Sequence, residues 1–240
     1  MSSNGTLVEI PPAHRRTSLT AGILYLFTFV SIPTFALYRP VKGVDYVLGP
    51  GSDNAAIIGG ILEIIVALAG IGTAVVLFPI LRKQNASAAL GLVAARTLEA
   101  STIFVGVAFL LSIVTLRQDG AGANALVPSH ALVALYDRIF MVGQSFLPAV
   151  DDLLLGFLLY QSRLVPRALS RIGIIGAPLL VAGYIAVLFG LIAQHGPVAG
   201  LSALPVAVFE FSLGVWLVVK GFNPKAVALL EVRSVQGDML

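Results

Sequence analysis

Six apolar stretches, each long enough to cross a bilayer, fix what this chain can fold into. They run near residues 18–38, 56–81, 89–116, 131–160, 171–193 and 199–220, and a spanning helix takes about 20 apolar residues. In hydrocarbon every backbone N–H and C=O needs an internal partner, so each stretch is expected to be helical. The breaks carry the punctuation this demands: LYRPVKGVDYVLGPGSDN, RKQNASA, TLRQDGAGANALVPSH, QSRLVPRALSR and QHGPVAG. Charged residues make up only 11% of the chain, against about 25% in soluble domains. The expected fold class is all-α, a polytopic membrane bundle of six transmembrane helices over residues 18–220. A cytoplasmic N-terminal segment, 1–17, and a cytoplasmic C-terminal tail, 221–240, flank it. The tail reads as polar-mixed, with a frayed end at EVRSVQGDML.

The sidedness comes from the basic residues. Arg15, Arg16, Arg82, Lys83, Arg163, Arg167, Arg171, Lys220, Lys225 and Arg233 fall on the side of the two termini. Only Arg39, Lys42 and Arg117 fall on the other. Lys and Arg concentrate on the cytoplasmic side of membrane proteins, so both termini are expected there. HRRTSLTAGILYLF has the basic start of a signal peptide. The apolar run after it is too long for a signal core of about 7–15 residues, and no A-x-A-like site closes it, so it reads as the first span. The arginines Arg163, Arg167 and Arg171 in LVPRALSRIGIIGAP can touch anionic headgroups or act only as topology determinants.

Several classes of function are excluded. The chain has no cysteine, which removes disulfides, thiolate metal sites and cysteine nucleophiles. Its histidines, His14, His130 and His195, are too far apart in sequence for a helical zinc motif. No G-x-S-x-G elbow or Gly-rich phosphate loop with Lys occurs. The basic residues are scattered singly, so the pI near 9.4 is no nucleic-acid footprint. No metal and no cofactor is expected, and an enzymatic role is uncertain and disfavoured.

What remains to be explained is a set of polar residues inside the apolar stretches: Glu63, Arg96, Glu99, Asp137, Arg138, Gln144, Asp151, Asp152 and Glu210. A charge at the bilayer centre costs about 2.5–3.5 kcal/mol on insertion scales, so such residues face protein or a wet cavity. At about 1.5 Å per residue, Glu99, Asp151, Asp152 and Glu210 come within roughly 12–15 Å of the cytoplasmic ends of their helices. That is the middle of a hydrocarbon core about 30 Å thick. Arg96 lies one turn nearer the cytoplasm, while Glu63, Asp137 and Arg138 fall near the outer interface. YDRIFMVGQSFLPAVDDLLLG repeats polar pairs every seven residues, Asp137–Arg138, Gln144–Ser145 and Asp151–Asp152. A spacing of seven nearly completes two helical turns, so Asp137, Gln144 and Asp151 share a stripe. Asp137 and Arg138 are expected to satisfy each other, and Asp151 and Asp152, about 100° apart, need not share a site. Pro148 lacks an N–H, so it leaves the Gln144 carbonyl without its helical donor and predicts a kink. Pro33 and Pro205 suggest similar kinks. Four mid-membrane acids against Arg96 leave an excess of negative charge, which has to be met by protons, a cation or water.

LYRPV, GGILEIIVALAGIGTAVVLFPILRKQN, LGLVAARTLEA and LLLGFLLYQSRLVPRALSRIGIIGAPLL resemble a bacterial multi-pass family, domain of unknown function 4386. The resemblance covers roughly residues 15–220. It implies a polytopic membrane protein of the bacterial inner membrane and carries no activity or catalytic residues with it. The reading from the residues is a small-ligand or proton/cation-linked membrane protein whose centre is Arg96, Glu99, Asp151, Asp152 and Glu210. Glu63, Asp137, Arg138 and Gln144 are secondary candidates. Its partners are the lipid bilayer and a small ligand or cation, with no nucleic acid. The competing reading is a non-catalytic scaffold or interaction subunit whose buried charges only fix helix packing.

Overall fold

The computed structural model describes residues 12–237. They form α1 (Pro12–Phe27), α2 (Thr34–Leu37), α3 (Asn54–Leu81), α4 (Ala86–Gln118), α5 (Leu126–Met141), α6 (Leu147–Ser162), α7 (Arg167–Leu188), α8 (Pro197–Val219) and α9 (Pro224–Gly237), with no strand among the described residues. Six segments among these residues are long and apolar enough to span a membrane: Ala13–Leu37, Asn54–Leu81, Ala86–Gln118, Gly122–Ser162, Arg167–Leu188 and Pro197–Val219. The first therefore combines α1 and α2, and the fourth combines α5 and α6.

The packing follows from a reversed distribution of side-chain size. Up to Ala74 the buried face of α3 is Ala56, Gly59, Gly60, Glu63, Ala67, Ala69, Gly70, Thr73 and Ala74, before Leu77, Ile80 and Leu81 join the apolar core. The large Ile57, Ile58, Ile61, Ile65 and Leu68 point outward and are exposed. A soluble helix buries its large apolar residues; here lipid is their solvent, and small residues bring the backbones together. Each span packs on the next in chain order and α8 returns to α1, which closes a ring. The closing contact needs glycine. A Cβ on Gly22 of α1 would stand 2.7 Å from the Gly214 carbonyl oxygen of α8.

Two spans are interrupted, each beside a proline. In the first, residues Thr28–Ser31 form a 3₁₀ turn. Pro33 supplies no N–H, and the Ile32 N–H bonds the Phe29 carbonyl at 3.2 Å instead. In the fourth, the expected disturbance before Pro148 takes the form of a π-helical turn over Val142–Phe146, in which the Leu147 N–H reaches back to the Val142 carbonyl. Such a turn absorbs the missing proline donor by widening the helix. It also brings backbone close to α4, since a Cβ on Gly143 would fall 1.9 Å from Thr102 Oγ1. Pro205 lies inside an uninterrupted α8.

Several boundaries differ from those expected. Helix α1 already includes Pro12, six residues before the expected first span, and residues 1–11 of the expected N-terminal segment lie outside the described residues. The stretch expected as the third loop is largely helical, with α4 running to Gln118 and a 3₁₀ turn at Gly122–Ala125 leading into α5. Residues 224–237 of the expected tail form α9. Its Ala226, Val227 and Leu230 are buried with Phe222 against Leu81 and Leu164, so an amphipathic face overrides the polar reading; residues 238–240 lie outside the described residues. The first and last described helices, α1 and α9, meet on one side of the ring. His14 bonds Glu231 at 2.8 Å, and Lys83 stands 3.8 Å from the same carboxylate. Arg15 donates to the Leu217 and Val218 carbonyls at the end of α8. The His14 bond, with Lys83 beside it, holds the Glu231 carboxyl below its ordinary range. On the far side Asp53 accepts from Tyr46 Oη at 2.5 Å, Arg117 at 2.8 Å and Gln118 at 3.0 Å. These donors, Tyr46 foremost, lower its pKa from the usual carboxylate value.

Candidate functional site

Inside the ring, roughly 15 Å along α4 from its start, Arg96 is surrounded by acids from three helices. It donates to Glu99 of its own helix at 2.9 Å and to Glu210 of α8. Its Nε stands 3.5 Å from Asp151 and its second terminal nitrogen 3.9 Å from Asp152, both on α6. The Tyr25 ring of α1 lies 5.7 Å from the guanidinium carbon. Adjacent positions on one helix are expected to diverge, yet both aspartates come within 4.0 Å of the one guanidinium. The arginine lies across the angle between them.

The acids differ in access. The side chains of Asp151 and Asp152 are 0% exposed, that of Glu99 11% and that of Glu210 14%. Glu99, Glu210 and Arg96 line a cavity of about 190 Å³, room for a handful of waters or a small ligand. Its walls include both interruptions: Thr28, Phe29 and Ser31 from the first span, Gln144 and Pro148 from the fourth. The aspartates lie behind Arg96, off that cavity. None of the four oxygens of Asp151 and Asp152 has a donor in hydrogen-bonding position. The group facing Asp151 is instead the carboxyl of Glu99. Two carboxyls attract each other only when one carries a proton to donate.

Further cavities adjoin the Arg96 cavity on the side of the α7–α8 turn. Gln144, Leu180 and Ala203 belong both to it and to a second cavity of about 310 Å³. That second cavity shares Phe35, Phe140 and His195 with a third of about 440 Å³. His195, exposed in the turn before α8, stands at the mouth of both. Toward the end of the ring where His14 meets Glu231, Leu77, Leu81, Leu92, Leu155, Leu158 and Leu159 pack into an apolar plug.

The secondary candidates are placed differently from the sequence expectation. Glu63, expected near the outer interface by depth, is 2% exposed, because it faces α5 across the bundle and accepts from Tyr136 Oη at 2.9 Å. Tyr38 stacks edge-on against Tyr136 with centroids 5.6 Å apart. Asp137 pairs with Lys42 at 2.7 Å, not with Arg138, which is exposed. On a helix, neighbours in sequence point about 100° apart, whereas Lys42 approaches from the first loop. Gln144 lies between the two polar centres, lining the main cavity and a small void beside Glu63 and Tyr136. Tyr25, Thr28, Ser31 and Tyr136 were not legible as site residues, since one hydroxyl in an apolar run carries no distinguishing pattern. Among the described residues no three carboxylates or imidazoles are arranged to hold a metal ion.

Residues 20–221 match the family described as Domain of unknown function (DUF4386). The chain belongs to that family. No curated protein and no solved structure matches it. The DUF4386 match takes in five spans whole and the first from residue 20, and Arg96, Glu99, Asp151, Asp152 and Glu210 all lie within it.

Proposed function

We propose that this DUF4386 protein takes up a proton or a small cationic ligand at the Arg96–Glu99–Asp151–Asp152–Glu210 centre. Access is from the face opposite the termini, with the chain in the bacterial cytoplasmic membrane and both termini in the cytoplasm. One observation carries the reading: Asp151 and Asp152 are fully buried with no donor on any of their oxygens, and Glu99 faces Asp151. Charges that only fix packing are satisfied by their neighbours, because an unpaired polar group in a low-dielectric interior is costly. An acid pair without donors behind an arginine is a place for a proton, and Glu99 connects it to the cavity. Interrupted helices lining a mid-membrane cavity are also how many transporters build binding sites. The scaffold reading draws on Arg96 itself, whose bonds to Glu99 and Glu210 tie α4 to α8.

The test uses proteoliposomes with imposed proton or monovalent-cation gradients, read by a pH-sensitive dye, alongside infrared difference spectra. Asp151→Asn and Glu99→Gln should lower the flux, and Asp151→Asn should remove a protonated-carboxyl band. Variants that insert, stay folded and leave both signals unchanged would leave the scaffold reading. The orientation is checked on the naturally cysteine-free chain. His195→Cys should react with an impermeant maleimide added to intact cells, and Lys225→Cys only after lysis.

A further inference from the structure

A cavity of about 500 Å³ lies at the termini-bearing end, between the α6–α7 turn and the end of α8. It is separate from the central site, beyond the apolar plug. Its walls combine Arg163, Arg167 and Lys220 with Trp216, Phe222 and Asn223, and no acidic residue lines it. The three cations come from the α6–α7 turn, the first residue of α7 and the residue after α8, so the fold gathers them. Among the described residues none of them forms an ion pair. Arg167 also stacks on Tyr160 at 4.8 Å and reaches the Tyr160 carbonyl at 3.4 Å.

The backbone at Arg163 points the same way. This residue ends α6 with φ 58° and ψ 25°, the one positive-φ non-glycine residue among those described. Glycine is the unstrained choice there, so an arginine gives up backbone ease to place a cation at the pocket. The position also limits the occupant. Trp216 lies one turn inside Lys220, at the depth where tryptophan marks the membrane–water boundary. A ligand there has its anionic group among the cations and apolar wall beneath it.

We propose that this pocket binds the phosphate group of an anionic phospholipid. Arginine suits the task because its planar fork matches phosphate oxygens, while lysine adds a point charge. The sequence motif alone allowed Arg171 to take part, but Arg171 packs instead against Tyr160 at 5.7 Å and does not line the pocket.

The test is lipid binding to the detergent-purified full chain, measured by native mass spectrometry with short-chain phosphatidylglycerol, short-chain phosphatidylcholine, and inorganic phosphate as separate arms. Phosphatidylglycerol should bind more tightly than phosphatidylcholine. Each removed cation should weaken it about fivefold, the usual size for one basic residue at an anionic surface. The variants are Arg167→Gln, Lys220→Gln and Arg163→Gly, the last suited to the left-handed backbone and so safe for folding. Arg82→Gln/Lys83→Gln, on the same face but outside the pocket, should leave the affinity unchanged. Inorganic phosphate that matches the lipid's affinity would assign the pocket to a soluble phosphate and overturn the lipid source. Equal loss in pocket and control variants, or none in the pocket variants, would overturn the site.

Discussion

Replacing Arg96 by methionine removes the one cation that four acids share while keeping a side chain of similar length. Wild-type Arg96 makes two charge-assisted hydrogen bonds, to Glu99 and Glu210, and stands within 4.0 Å of Asp151 and Asp152. Hydrogen bonds to charged groups contribute about 1.5–3 kcal/mol each. Breaking a buried pair by removing one partner costs about 3–5 kcal/mol. Interhelical bonds in membranes fall at the low end, because a chain unfolded within the membrane also finds partners. A loss of about 3 kcal/mol is therefore expected near neutral pH, or roughly 6–12 °C in Tm for a domain of this size. Thermal unfolding of the detergent-purified variant near neutral pH reads the loss. A variant that melts with the wild type would refute Arg96 as the charge that balances this centre.

Tyr136→Phe deletes the hydroxyl on Glu63 and leaves a buried acid short of a donor. It should cost about 1–3 kcal/mol in thermal unfolding, and Tyr136→Phe/Glu63→Leu should recover most of it. Gly143→Ala places a methyl against Thr102 and should cost about 1–3 kcal/mol by overpacking, partly relieved by Thr102→Ala. Outside the bilayer, the lowered Glu231 and Asp53 carboxyls set an acid limit. A depressed folded pKa gives stability that is present above the unfolded value and lost as pH falls through the folded one. Contacts of α9 and of the first loop should therefore loosen below about pH 4, seen as faster amide exchange in residues 224–231 and 46–53; Glu231→Gln and Asp53→Asn should abolish that dependence.

Six spans and an all-helical fold were legible because hydrocarbon allows few alternatives: about 20 apolar residues form a helix or do not cross. The acids of the centre were legible too, since their cost in lipid makes them conspicuous. Which groups answer them was not. Asp137 lies beside Arg138 in sequence but pairs with Lys42 from the first loop. Glu63 counts as interfacial by depth yet is buried against Tyr136, since depth along a helix does not specify what packs beside it. Asp151 and Asp152 diverge on their helix and still meet one arginine from another.

The sequence by itself determined that this chain crosses a membrane, roughly where, and which residues are too polar to face lipid, because hydrophobicity and helical rise are local properties. Only the tertiary structure decided that the ring closes through Gly22 and Gly214, that four acids share one guanidinium, and that a cavity lies beside that guanidinium, apart from a leucine-rich cluster. Those outcomes depend on how helices rotate and approach one another. That is set by side-chain packing between residues up to 217 positions apart, as between His14 and Glu231.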